Sequence, residues 1–205
     1  MEFTLDQILN SEKEFRRNLI NSVNGFKSPH LVGTIDQKGR TNLALYSQLL
    51  HIGANPPLVG LLSRPMVVPR HTLENIIATR LFTVNHVHEG IYKQAHTTSA
   101  RWEESEFAAT GLTEEYREGI KTPFVKESLI KSLYSFKERH VIQINQTTLV
   151  VGQLEMLIID EGLVGEDGFV DLEKAGTLAV AGLDSYHNTQ LIERLPYAKP
   201  TDRQS

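Results

Sequence analysis

Two long runs near the C-terminal third constrain this chain most. Residues 130–143 and 147–160 are rich in Ile, Val, Leu, Tyr and Thr, and Asn145-Gln146 joins them. Runs of that kind on either side of a short polar turn predict a hairpin, and a hairpin commits the sheet around it to antiparallel pairing. The earlier sequence agrees. Residues 30–35 form a short β-branched run. Asp36-Gln37-Lys38-Gly39 follows as a hairpin turn, with Gly39 free to take a positive φ, and residues 41–50 form the return strand. Pro56-Pro57 marks a boundary. Residues 58–63 form a third strand, apolar enough to be buried on both sides, and residues 81–86 form a fourth. Strands gather in meanders and do not alternate with helices. The expected class is therefore mainly β: a small closed or split antiparallel barrel with peripheral helices, not a doubly wound parallel sheet.

The helical signals sit at the periphery. Residues 4–20 read as a helix with Thr4 as cap, Gln7 three positions on, and Leu5, Ile8, Leu9, Phe15 and Leu19 as its stripe, ended by the turn Asn24-Gly25. Residues 64–70 contain two prolines and are expected to be irregular. Thr72 opens another helix, whose apolar face is Leu73, Ile76 and Ile77. Residues 91–120 mix helix and loop signals, Asp167-Gly168 marks a turn, and the tail from residue 196 is polar and loose. At 205 residues the chain suits one domain.

Composition removes several function classes. The chain has no cysteine, so disulfides, thiolate metal sites and a cysteine nucleophile are excluded together. A formal charge of −4 lacks the positive field that nucleic acid binding needs. Charged residues scattered through positions 1–20 leave no signal-peptide core. The longest nearly apolar run, residues 56–62, is far too short to span a membrane, so a cytoplasmic location is the simplest expectation. There is no G-x-G-x-x-G after a strand, no P-loop and no G-x-S-x-G elbow. His86-x-His88 lacks a third ligand at diagnostic spacing and reads as a partly exposed polar strand end, and no metal is expected. Asp184, Ser185 and His187 are too close in sequence to form a triad, and residues 161–167 lack the spacing of a calcium loop.

One stretch carries binding chemistry. Ser63 and Arg64 end a strand, and Arg70, His71 and Thr72 stand at a helix N-terminus. Unpaired backbone N–H groups and the helix dipole favour an anion there, and guanidinium forks grip two oxygens at once. Together they form a receptor for a phosphomonoester, unless Thr72 is only a cap and the arginines only solvated. Upstream, Asn42, Ser47 and Gln48 flank a strand in which Ala44 lets a flat ligand approach the backbone. They could read the edge of a heterocycle, or they could simply be outward polar residues.

Taken in order, Asn42-Leu-Ala-Leu-Tyr-Ser47, Asn55-Pro-Pro-Leu-Val-Gly60, Arg70-His-Thr-Leu-Glu-Asn-Ile76 and Phe82-Thr-Val-Asn85 resemble the flavin reductase-like, flavoredoxin-like family with the FMN-binding split barrel. Ala95-His-Thr-Thr-Ser99, Pro123-Phe-Val-Lys-Glu-Ser128 and Gly182-Leu-Asp-Ser-Tyr186 continue the resemblance, which covers about residues 20–190. It implies a Greek-key antiparallel split barrel and FMN held non-covalently at or near a homodimer interface. Ser63, Arg64, Arg70, His71 and Thr72 would hold the phosphate. Asn42 and the backbone of Ala44, Leu45, Tyr46, Ser47 and Gln48 would meet the isoalloxazine, with Ser47 nearest its edge. His96 would contact flavin or substrate, or else lie on the surface, and Tyr186 would pack near the ring or in the core. The implied activity passes a hydride from NAD(P)H through FMN to an acceptor, with no catalytic side chain. The alternatives are an FMN electron carrier that does not use NAD(P)H, and a split barrel for another phosphorylated ligand or none.

Overall fold

The computed structural model describes residues 1–199. Seven strands make one antiparallel sheet in the order β2 (Thr41–Tyr46), β1 (His30–Ile35), β5 (Leu81–His86), β8 (Ile130–Ile142), β9 (Thr147–Ile159), β4 (Pro57–Ser63) and β3 (Leu49–Ala54). The two edge strands, β2 and β3, are consecutive in the chain. The expected single strand over 41–50 therefore breaks at Ser47-Gln48, where the chain leaves its partner β1 and joins β4. There the Gln48 carbonyl accepts the Leu62 N–H at 3.0 Å. The sheet curls until its edges are the two sides of one bend, which is what makes the barrel a split one. The connection from β4 back to β5 beside β1 crosses the barrel and carries α3 (His71–Thr79).

The long hairpin pairs as expected, Ile130 opposite Ile159 and Ile142 opposite Thr147, with Gln146 at φ +59 in its turn. Inside the barrel, Val32, Leu61, Phe82, Val84, Tyr134, Phe136 and Val150 pack with Leu73 and Ile76 of α3. That face of α3 is the one read from the sequence. Phe82 and Tyr134 stack with centroids 5.4 Å apart, over Gly152, where a Cβ would come within 2.5 Å of the Phe82 ring. On the outer face, Leu31, Leu43 and Val87 pack under α4 (Tyr92–Thr97) and α5 (Glu106–Thr110).

Other differences from the sequence reading have local causes. The helix expected over 4–20 is two helices, α1 (Leu5–Leu9) and α2 (Lys13–Ser22). The Thr4–Gln7 capping box is present, but Ser11 Oγ donates to the Ile8 carbonyl at 2.7 Å, a side-chain bond that competes with helix continuation. Neither helix buries a residue. Strand β4 is only half-buried over Leu58–Val59, so it is not covered on both sides throughout. Residues 91–120 yield α4 and α5, then β6 (Glu114–Arg117) opens a hairpin that β7 (Ile120–Val125) closes. Pro123 disguises β7, since proline demotes a strand reading. Buried Asn85 accepts the Val125 N–H at 2.9 Å, and Thr83 donates to the Pro123 carbonyl at 2.6 Å, pinning β7 across β1 and β5. Two short strands, β10 (Ala179–Ala181) and β11 (Ser185–His187), pair near the end. Residues 196–199 are exposed coil, and the rest of the expected tail lies outside the described residues.

Candidate anion and cofactor site

Residues of β2 with alternating positions share a face, so Asn42, Ala44 and Tyr46 look the same way. They look toward the start of α3 and the end of β4. Buried Asn42 donates from Nδ2 to Thr72 Oγ1 at 3.0 Å and approaches Thr34 Oγ1 at 3.4 Å, while buried Asn75 donates to the same Thr34 oxygen at 3.1 Å. The Tyr46 phenol lies beside the Thr72 and Ser63 hydroxyls, in the field of Arg70 and Arg64. Burial outweighs those neighbours and holds its pKa above the usual value, so it keeps its proton at neutral pH.

Three hydroxyls and two guanidiniums thus converge where residues 64–70 lead into α3. The first bond back to the helix start is Glu74 N–H to the Arg70 carbonyl at 2.9 Å, so the N–H groups of His71, Thr72 and Leu73 lack intrahelical partners. Glu74 occupies the Arg70 N–H at 3.2 Å, and Arg70 Nε donates to the Pro65 carbonyl at 3.2 Å. Among the described residues no carboxylate lies within 4.0 Å of the Arg64 or Arg70 guanidinium, although other arginines of this chain pair with Asp or Glu. Ser63 and Thr72 are buried, Arg70 is half-buried, and Arg64 and His71 are exposed. The arrangement has inner hydroxyls and outer cations, with the free N–H groups of His71, Thr72 and Leu73 at the helix start. It suits the dianionic end of a phosphomonoester.

The open edge of β2 lies next to this group. Glu106 of α5 accepts the Leu43 N–H at 3.0 Å, and Thr41 bonds Glu114 at 2.6 Å, covering the first half of the edge. Strand alternation turns the Leu45 N–H the same way, beyond that cover. Ser47 is half-buried and Gln48 exposed at the bend into β3. This stretch of edge, beside half-buried Ala44, could hold the acceptors of a planar ligand.

His96 joins a different group. It is exposed on α4, and its Nδ1 meets Tyr186 Oη at 3.0 Å. Tyr186 packs 5.4 Å from Tyr92, and both lie against the outer core with Leu45. Burial, reinforced by Asp184, pushes Tyr186 up to about 12. His96 and Tyr186 therefore flank the Leu45 side of β2 and are not brought to the hydroxyl–guanidinium group. Asn42, expected against a ring edge, points inward to Thr72. His86 and His88, both half-buried, make the partly exposed polar strand end read from the sequence. His86 packs edge-on against buried His30 with centroids 4.8 Å apart, and His88 meets the Glu127 carbonyl at 3.0 Å.

Sequence reasoning missed the Tyr46 side chain, Thr34 and Asn75. Two signals were available: the period of two linking Asn42 to Tyr46, and the three-residue spacing that puts Asn75 on the face of Thr72. Two hollows lie elsewhere. One of about 210 Å³ is lined by Asp167, Phe169, Lys174 and Arg194 among others, and one of about 500 Å³ runs along α1 and α2.

Residues 23–174 match the flavin reductase like domain family, so the chain belongs to that family. A split-barrel protein from Shewanella frigidimarina, assigned as a flavin reductase, is 48% identical. It superposes with a TM-score of 0.93 over 97% of this chain and 100% of its own. Component B of nitrilotriacetate monooxygenase from Bacillus cereus shares the fold at 21% identity and TM-score 0.82, over 95% of this chain and 98% of its own. Flavoredoxin of Desulfovibrio vulgaris does so at 18% identity and TM-score 0.75, over 97% and 98%. The protein is thus a flavin reductase-like split barrel, and no helix among its described residues is long and apolar enough to cross a membrane.

Proposed function

We propose that the protein binds FMN and uses it to pass a hydride from NAD(P)H to an acceptor. The observation that carries this reading is the convergence of Tyr46, Ser63 and Thr72 hydroxyls with the carboxylate-free guanidiniums of Arg64 and Arg70, beside an open strand edge. A flavin with a single terminal phosphate matches both halves of that arrangement. The bound FMN supplies reversible hydride chemistry that no side chain here can perform.

The chain's own residues orient and tune. Arg64 and Arg70 would neutralise the phosphate charge, the Thr72 and Ser63 hydroxyls and the spare α3 N–H groups would fix its direction, and His71 would close it from the solvent side. The backbone from Ala44 to Gln48 would run along the ring edge, where the outward N–H of Leu45 and the Ser47 hydroxyl would stabilise charge gained on reduction. His96, held by Tyr186, would lie at the ring's outer side. No general acid or base is required.

We also propose a homodimer. The apolar faces of α1 and α2 are uncovered, with Leu5 69%, Leu9 57%, Phe15 47% and Ile20 44% exposed, more than a lone helical pair leaves in water. Anaerobic mixing of the FMN-loaded protein with NADH and with NADPH tests the activity. Loss of the oxidised flavin band with either nicotinamide supports the reductase. No loss with either points to an electron carrier that takes its electrons from another protein.

A further inference from the structure

We infer that Asn42 is a positioning residue for the phosphate: from inside the barrel its amide fixes the direction of the Thr72 hydroxyl, so the Thr72 proton points to the ligand. The inference rests on the FMN reading above and assigns a role that the ring-edge expectation for Asn42 did not contain.

The geometry is directional. A threonine hydroxyl has one proton and two lone pairs. Asn42 Nδ2 donates to Thr72 Oγ1 at 3.0 Å, so one lone pair is occupied and the hydroxyl proton cannot turn back toward Asn42. The Tyr46 phenol beside it keeps its proton and can both donate to and accept from the Thr72 hydroxyl on the outer side. The inward direction is closed to the Thr72 proton, which leaves it the outer side, where a ligand acceptor would arrive. The amide is itself held. Thr34 Oγ1 lies 3.4 Å from the Asn42 amide nitrogen and 3.1 Å from that of Asn75, so two donors converge on one oxygen. Thr34 is 0% exposed, Thr72 5%, and Asn42 and Asn75 8% each. In so dry a setting, reorienting one member leaves a buried group without a partner, so the chain Asn75–Thr34–Asn42–Thr72 resists rearrangement. A ligand lacking a terminal phosphate gains nothing from it. Asn42 is therefore predicted to set selectivity for the phosphorylated flavin while leaving ring affinity alone.

The test measures dissociation constants for FMN and riboflavin by quenching of flavin fluorescence in the full-length protein. Asn42→Leu is expected to weaken FMN about 10-fold, the scale of one lost hydrogen bond to a charged ligand, and to leave riboflavin within about 2-fold. Asn42→Asp, which turns the donor into an acceptor, is expected to weaken FMN about 100-fold, since it draws the Thr72 proton inward and adds a repelling charge. In a Thr72→Val background Asn42→Leu is expected to have no further effect on FMN. Equal losses for FMN and riboflavin, or a full Asn42 effect in the Thr72→Val background, would overturn the inference and leave the FMN site intact. Wild-type protein that binds FMN no better than riboflavin overturns the parent reading and this inference together. Should Asn42→Leu fail to fold, Asn42→Ser removes the same donor with less bulk and is held to the same split between ligands.

Discussion

Acidification should destabilise this protein through two histidines facing each other across β1 and β5. His30 and His86 are direct cross-strand partners, with their rings edge-on at 4.8 Å. His30 is 5% exposed and its Nδ1 has no hydrogen-bond partner. Burial, then the neighbouring His86, lowers its pKa to about 3, and burial lowers that of His86 to about 4. In the unfolded chain both titrate near 6.5. Because the folded values are depressed, the unfolded state takes up protons first as pH falls. Stability is therefore complete above about pH 6.5 and declines below it, until the folded values are reached. At pH 5 each ring lies about 1.5 units below its unfolded pKa and well above its folded one. Each then costs about 2 kcal/mol at 1.36 kcal/mol per unit, about 4 kcal/mol for the pair. That is a large share of the roughly 5–15 kcal/mol by which a domain is stable. Urea unfolding at pH 7.5, 6 and 5 measures it: at about 2–3 kcal/mol per molar, the midpoint should fall by roughly 1.3–2 M between the extremes. His86→Asn should roughly halve the fall. A midpoint that does not move between pH 7.5 and 5, with the slope unchanged, would refute the reasoning.

Other perturbations test packing and site separately. Gly33→Ala would put a Cβ 2.4 Å from the Pro123 carbonyl oxygen and 2.5 Å from Thr83 Oγ1, so β7 must move and the Thr83–Pro123 bond must break. A loss of at least about 2 kcal/mol is expected, read as a lower Tm by calorimetry. Tyr46→Phe removes one of the three hydroxyls and should weaken FMN by about 1 kcal/mol in a fluorescence titration, with riboflavin unaffected. Light scattering on the FMN-loaded protein should give twice the chain mass, and a monomer would count against an interfacial site.

Much of the barrel was legible because its strands announce themselves locally. The two long β-rich runs in residues 130–160, the Asp36–Gly39 turn and the apolar stripe of Leu73 and Ile76 all match the structure. What failed to show were events set by partners distant in sequence. Ser47-Gln48 carries no breaker residue, and only the exchange of β1 for β4 ends the strand there. Pro123 hides β7, which exists because Asn85 and Thr83 hold it. The hydroxyl and guanidinium residues could be grouped from the sequence because they cluster around a single strand end and helix start. The inward turn of Asn42 and the pairing of His96 with Tyr186 could not, since the latter contact spans 90 positions.

The central claim is that the cations beside α3 exist to hold a phosphate, and the difference between FMN and riboflavin binding tests it most directly. Two charge-assisted contacts at about 1.5–3 kcal/mol each predict a wild-type preference for FMN of at least about 100-fold. In Arg64→Ala/Arg70→Ala protein that preference should fall to within about 10-fold while riboflavin affinity holds. Equal affinity for the two flavins in the wild-type protein, or an undiminished preference in the double variant, would contradict the account.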